Sequence, residues 1–91
     1  MADTRSTAGD GPFGPIRPSD AVDGWELAGD ADRWRLVKDF GAVRGSVKPT
    51  TRTTCSWRVE DREGRMLREV SARSVAEATA AADEWVRKTS G

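Results

Sequence analysis

One thiol, Cys55, and a cluster of carboxylates at Glu60, Asp61 and Glu63 are the groups with the chemistry for nucleophilic or acid–base work, and the chain has no histidine to assist them. Without imidazole neither a Ser–His nor a Cys–His pair can form, and the usual proton shuttle at neutral pH is missing. Cys55 alternates with Trp57 and Val59 along a stretch that reads as a strand, which turns all three inward. A thiol held in apolar surroundings has a raised pKa and is inert. The three carboxylates are bracketed by Arg58 and Arg65, so they read as a solvated, salt-bridged turn. One cysteine and no histidine exclude the familiar zinc spacings, and no GxxxxGK[ST] loop is present to cradle a phosphate. The expectation is a non-enzyme with no catalytic, metal or cofactor-binding residues and no cofactor.

What remains is arginine. Twelve arginines stand against three lysines, and fifteen bases balance fifteen acids. The balance is uneven along the chain. Residues 1–32 hold seven carboxylates and two arginines, whereas residues 33–73 hold eleven bases and five acids. Such a split is the mark of a basic surface beside an acidic tail. Strand alternation puts Arg33, Arg35, Arg44, Lys48, Arg52, Arg58 and Arg68 on the side away from the apolar positions, or on its rim. The planar guanidinium fork suits phosphate and carboxylate, and a sheet that carries such residues can enter a major groove, with counterion release driving the affinity. The plainer reading is a solvated strand surface interrupted by Glu60 and Glu69.

The elements that would position these residues follow from periodicity. Trp25-Glu-Leu27 suggests a short first strand. Arg33–Lys38 alternates, with Trp34 and Leu36 on one face and Arg33, Arg35 and Val37 on the other. Ala42–Lys48 alternates around Gly45, which predicts a bulge or a close backbone approach. Thr53–Glu60 is the clearest strand. Asp61-Arg-Glu-Gly64 is a turn that suits positive φ at Gly64, and residues 65–72 return beside it, with the facing of Met66 and Leu67 left open. Ser74-Val-Ala-Glu77 is a capping box, and Val75, Ala78, Ala82, Trp85 and Val86 form one apolar helical stripe. Asp83–Arg87 and Glu84–Lys88 are spaced for i,i+4 ion pairs. The predicted fold is α+β: an antiparallel sheet of three to five strands with one C-terminal helix packed on one face.

Composition divides the chain into a disordered Gly/Pro-rich acidic tail, 1–22, and a single sheet-plus-helix domain, 23–91. The tail contains two overlapping PxxP spacings between Pro12 and Pro18, a pattern that polyproline-binding grooves accept. Four tryptophans, at 25, 34, 57 and 85, lie outside it and read as core anchors. No apolar run is long enough to span a membrane, and the N-terminus lacks the apolar stretch of a secretory signal. No internal disulfide can form with one cysteine. Together these predict a cytoplasmic protein. The excess of arginine over lysine, one isoleucine and no Asn, Tyr or His point to a GC-rich genome.

The order Trp57-x-Val59, Asp61-Arg-Glu-Gly64-Arg65, Ser74-x-Ala76-Glu77-Ala78 resembles that of small actinobacterial and actinophage sheet-plus-helix proteins of unknown function. Over residues 54–86 it is also similar to the arm-type DNA-binding domain of phage tyrosine integrases. That second resemblance implies a three-stranded sheet on one helix, with the sheet entering the DNA groove. Trp85, seven residues after Ala78, and the extra strands upstream depart from the integrase pattern. The reading taken from the sequence is a small accessory module that binds a protein partner through its open sheet face or an edge strand. The alternative is a nucleic-acid-binding module that uses the Arg-bearing face. No membrane contact is expected, and a homodimer would fit the thin core.

Overall fold

The structure is a computed structural model that describes residues 13–90. Five strands run β1 (Glu26–Asp30), β2 (Arg33–Asp39), β3 (Val43–Pro49), β4 (Cys55–Asp61) and β5 (Met66–Ala72), followed by one helix, α1 (Val75–Ser90). The strands form one antiparallel meander in the order β1-β2-β3-β4-β5. This is the predicted α+β architecture, at the upper end of the predicted strand number.

Alternation decides what each face carries. The row Leu27–Leu36–Val47–Trp57–Val70 crosses all five strands as directly opposed residues. Cys55, Val59 and Ala72 share its side, and α1 lies over β3, β4 and β5 on that side. The helix presents Val75, Ala78, Ala82 and Val86 to the sheet, all buried. The two alanines let the helix axis sit close, and Trp85 reaches Trp57 with ring centroids 6.4 Å apart. The helix start follows the predicted capping box in part. Ser74 Oγ accepts from the Glu77 N–H at 3.1 Å, while the Glu77 carboxylate accepts from the N–H of Arg73 rather than that of Ser74.

Gly45 makes a close approach rather than a bulge. A Cβ there would lie 2.9 Å from the Phe40 ring and 3.2 Å from Trp25, so the missing side chain is the space into which those two rings pack edge to face. The bulge in the sheet falls instead between Val59 and Glu60 opposite β5. It resolves the facing of the last strand: Met66 stands opposite Glu60 on the open side, Leu67 is the inserted residue, and Arg68 stands opposite Val59 on the helix side.

The expected tail boundary at residue 22 is corrected. Residues 1–12 lie outside the described residues, but from Phe13 onward the segment is docked. Ile16 is 0% exposed and belongs to the core. The Phe13 N–H donates to the Asp32 carbonyl at 2.7 Å, and Gly14, at φ +95, lies so close to Pro49 that any Cβ would collide. A short 3-10 turn at Pro18–Asp20 follows. Composition alone suggested a tail because one isoleucine among prolines and glycines carries too little signal, yet its burial removes a full aliphatic side chain from water. The Pro15–Pro18 spacing is therefore part of the folded domain, while Pro12 lies outside the described residues.

Candidate functional site

The face of the sheet opposite α1 carries no second layer among the described residues. It exposes the alternate residues of every strand, and register assigns their neighbours. Across one row run Glu26, Val37, Ser46, Arg58 and Glu69; across the next run Asp39, Arg44, Glu60 and Met66. Arg44 is thus flanked by two carboxylates. Arg58 faces Glu69, and its Nε lies 2.9 Å from the Glu60 carboxylate. These two arginines sit in a neutralised, cross-linked surface of the kind that solvated strands favour.

The third row differs. Arg35 lies beside Lys48, one step beyond the Leu36–Val47 pair, and the row continues through Ser56 to Ser71. It contains two cations, two hydroxyls and no carboxylate. Arg33 joins it two residues along β2. Arg33, Arg35, Lys48, Thr50, Ser56 and Glu69 line a groove of about 390 Å³ with Trp34 and Pro49 at its wall. Ser56, only 7% exposed, forms the floor. Among the described residues no carboxylate comes within ion-pair distance of Arg33, Arg35 or Lys48. Arg33 is steadied by its guanidinium carbon lying 4.6 Å from the centroid of the Phe13 ring. The nearby Asp30 carboxylate is occupied by the backbone N–H groups of Asp32 and Arg33, both at 3.0 Å.

The seven basic residues expected on one surface therefore divide. Arg33, Arg35 and Lys48 come together; Arg44 and Arg58 lie among acids on the same face. Arg52 stands in the β3–β4 loop. Arg68 is corrected to the helix side of the sheet, because the bulge at Leu67 shifts its parity. The whole open face holds five bases (33, 35, 44, 48, 58) against five carboxylates (26, 30, 39, 60, 69).

A second feature lies at the strand where the sequence leaves the facing of Met66 and Leu67 open. Strand β5 is an outer strand, exposed along most of its seven residues. Met66 and Leu67 are 49% and 43% exposed. The signal that could have found them was their adjacency: two neighbouring apolar residues in a strand cannot both point inward.

The groups with reactive potential are held quiet. Cys55 is fully buried, and its Sγ donates to the Ser74 carbonyl at 3.4 Å. Burial pushes its thiol up, with smaller contributions from the Glu77 and Asp20 carboxylates. The backbone N–H of Arg65 leads a set of donors, with the Arg65 guanidinium and the Glu63 N–H, that holds the Asp61 carboxyl below its usual range. That carboxylate caps the β4–β5 turn, where Gly64 takes φ +87. Among the described residues no group of three Cys, Asp or Glu converges as a metal site, and no helix is long and apolar enough to cross a membrane. No known protein family matches the chain, and neither does any curated protein or solved structure.

Proposed function

We propose that this chain is a non-enzymatic protein-interaction module that engages its partner along the outer strand β5 and the adjoining open face of the sheet. The observation that carries the reading is β5 itself: seven residues that, among the described residues, pair on one side only, with Met66 and Leu67 side by side in solvent. An unpaired strand edge offers a row of backbone donors and acceptors to an extended segment of another chain. Two exposed apolar side chains beside it supply the area that water would otherwise solvate at a cost. The quiet chemistry of Cys55 and Asp61 supports a role without turnover.

The nucleic-acid alternative draws less support. A polyanion laid across the open face would meet five carboxylates as well as five bases, and Arg44 and Arg58 already have acidic neighbours. Counterion release rewards a cluster of free cations, which here is confined to one corner.

The test is recovery of a stoichiometric partner from the producing cells with the tagged full chain, compared with Leu67→Glu. Leu67 is exposed, so the variant should fold normally and lose the partner. Equal recovery with both chains would refute the edge as the docking element.

A further inference from the structure

We propose that the groove formed by Arg33, Arg35 and Lys48 over Ser56 receives a short acidic segment of a protein partner, one or two Asp or Glu side chains long. This rests on the protein-interaction reading and names the chemistry of what is bound.

The argument starts from charge. On the open face Arg44 stands between Asp39 and Glu60, and Arg58 is paired at 2.9 Å, whereas the carboxylate opposite Arg33, that of Asp30, gives its Oδ1 to two backbone N–H groups. Arg33, Arg35 and Lys48 have no such partner among the described residues. Three positive side chains on two adjacent strands repel one another, and an anion between them relieves that repulsion. Arginine's fork matches a carboxylate with two parallel bonds. Lys48 adds a point charge, and the Ser56 and Ser71 hydroxyls continue the same row with neutral hydrogen-bonding groups.

Size and surroundings then choose the class of ligand. About 390 Å³ of groove holds a few side chains. Glu69 closes it on the β5 side, and the next row toward the β2–β3 hairpin carries Glu26 and Glu69 at its two ends. Duplex DNA presents a charge about every 1.7 Å along its axis, so it would carry phosphates onto those carboxylates. A peptide with two acids followed by neutral residues would not. Its extended backbone, running along the row from Arg35 to Ser71, would end at β5, where the edge is open.

The test is an amide NMR titration of the ¹⁵N-labelled full chain with a short capped peptide of two glutamates followed by serines at roughly 50 mM salt, with inorganic phosphate and a twelve-base-pair DNA duplex as comparators. The peptide is expected to shift the amides of residues 33–35, 48, 56 and 71. Arg35→Gln combined with Lys48→Gln should weaken that binding about tenfold or more, and Arg44→Gln should change it little. An unaltered spectrum elsewhere shows that the variants remain folded. No shifts with the peptide, equal shifts with phosphate alone at matched charge, or tighter binding of the duplex at the same residues would each overturn the proposal. If the peptide fails while recovery of a partner still depends on Leu67, the acidic-segment inference falls and the wider reading stands. Loss of both would remove the two together.

Discussion

Lys38 and Asp83 tie the helix to the sheet: Lys38 Nζ lies 3.0 Å from Asp83 Oδ1 and also donates to the Asp23 carbonyl at 2.9 Å. The same ammonium stands 5.0 Å from the Phe40 ring centroid and 5.8 Å from that of Trp25. One side chain therefore joins β2, the segment before β1 and α1. Replacing Lys38 with Met should cost about 1 kcal/mol in urea unfolding, the sum expected of a partly exposed ion pair and a cation–π contact. A double-mutant cycle with Asp83→Asn should return a coupling of roughly 0.5 kcal/mol. Additive effects would show that the pair is incidental.

Ile16 should behave as a core residue. Ile16→Ala is expected to destabilise the domain by about 2–4 kcal/mol, a large share of the stability of a domain this small. A change within about 0.5 kcal/mol, as at an ordinary surface site, would mean that the segment before Trp25 does not dock.

Gly45 should tolerate no side chain. Gly45→Val would press against Phe40 and Trp25 and should lower stability by about 1–3 kcal/mol. Ser46→Ala, one residue along, should be nearly neutral. Equal midpoints for the two variants would contradict the close packing of those rings.

Asp61 sets a pH dependence whose sign follows from its lowered pKa. A carboxyl held below its unfolded value of about 3.9 contributes stability that is fully present above that value and lost as pH falls through the folded pKa. The stability gap between the natural chain and Asp61→Asn should therefore be constant above about pH 5 and close as the pH drops below about 4. A gap that widened in acid would reverse the assignment. The opposite sign applies to Cys55, whose raised pKa keeps the thiol neutral. At pH 8 it should resist an aromatic disulfide reagent until the chain unfolds, and immediate stoichiometric labelling would contradict its burial.

Periodicity made the helix and the β4–β5 hairpin legible, because Ser74, Glu77 and Gly64 each have one local structural use. The Glu84–Lys88 pair forms at 3.2 Å as its spacing predicts. Asp83 does not pair with Arg87 as the spacing suggested; it turns to Lys38, 45 residues away, a choice that depends on how the helix lies on the sheet. The placement of Ile16 was illegible for the same reason, since its neighbours in space are distant in sequence. The division of the basic residues was hidden more deeply. Which cation meets which carboxylate is fixed by register across five strands, and a single bulged residue, Leu67, moved Arg68 to the other face.

The central claim, that β5 is a docking edge, is tested most directly by a photoreactive residue at position 67, with a control at the exposed helix position Thr89. Irradiation in the producing cells should yield one discrete adduct from position 67 and none from position 89. A band of twice the chain mass would identify a second copy as the partner at that edge. No adduct from position 67, or the same set of bands from both positions, would contradict the account.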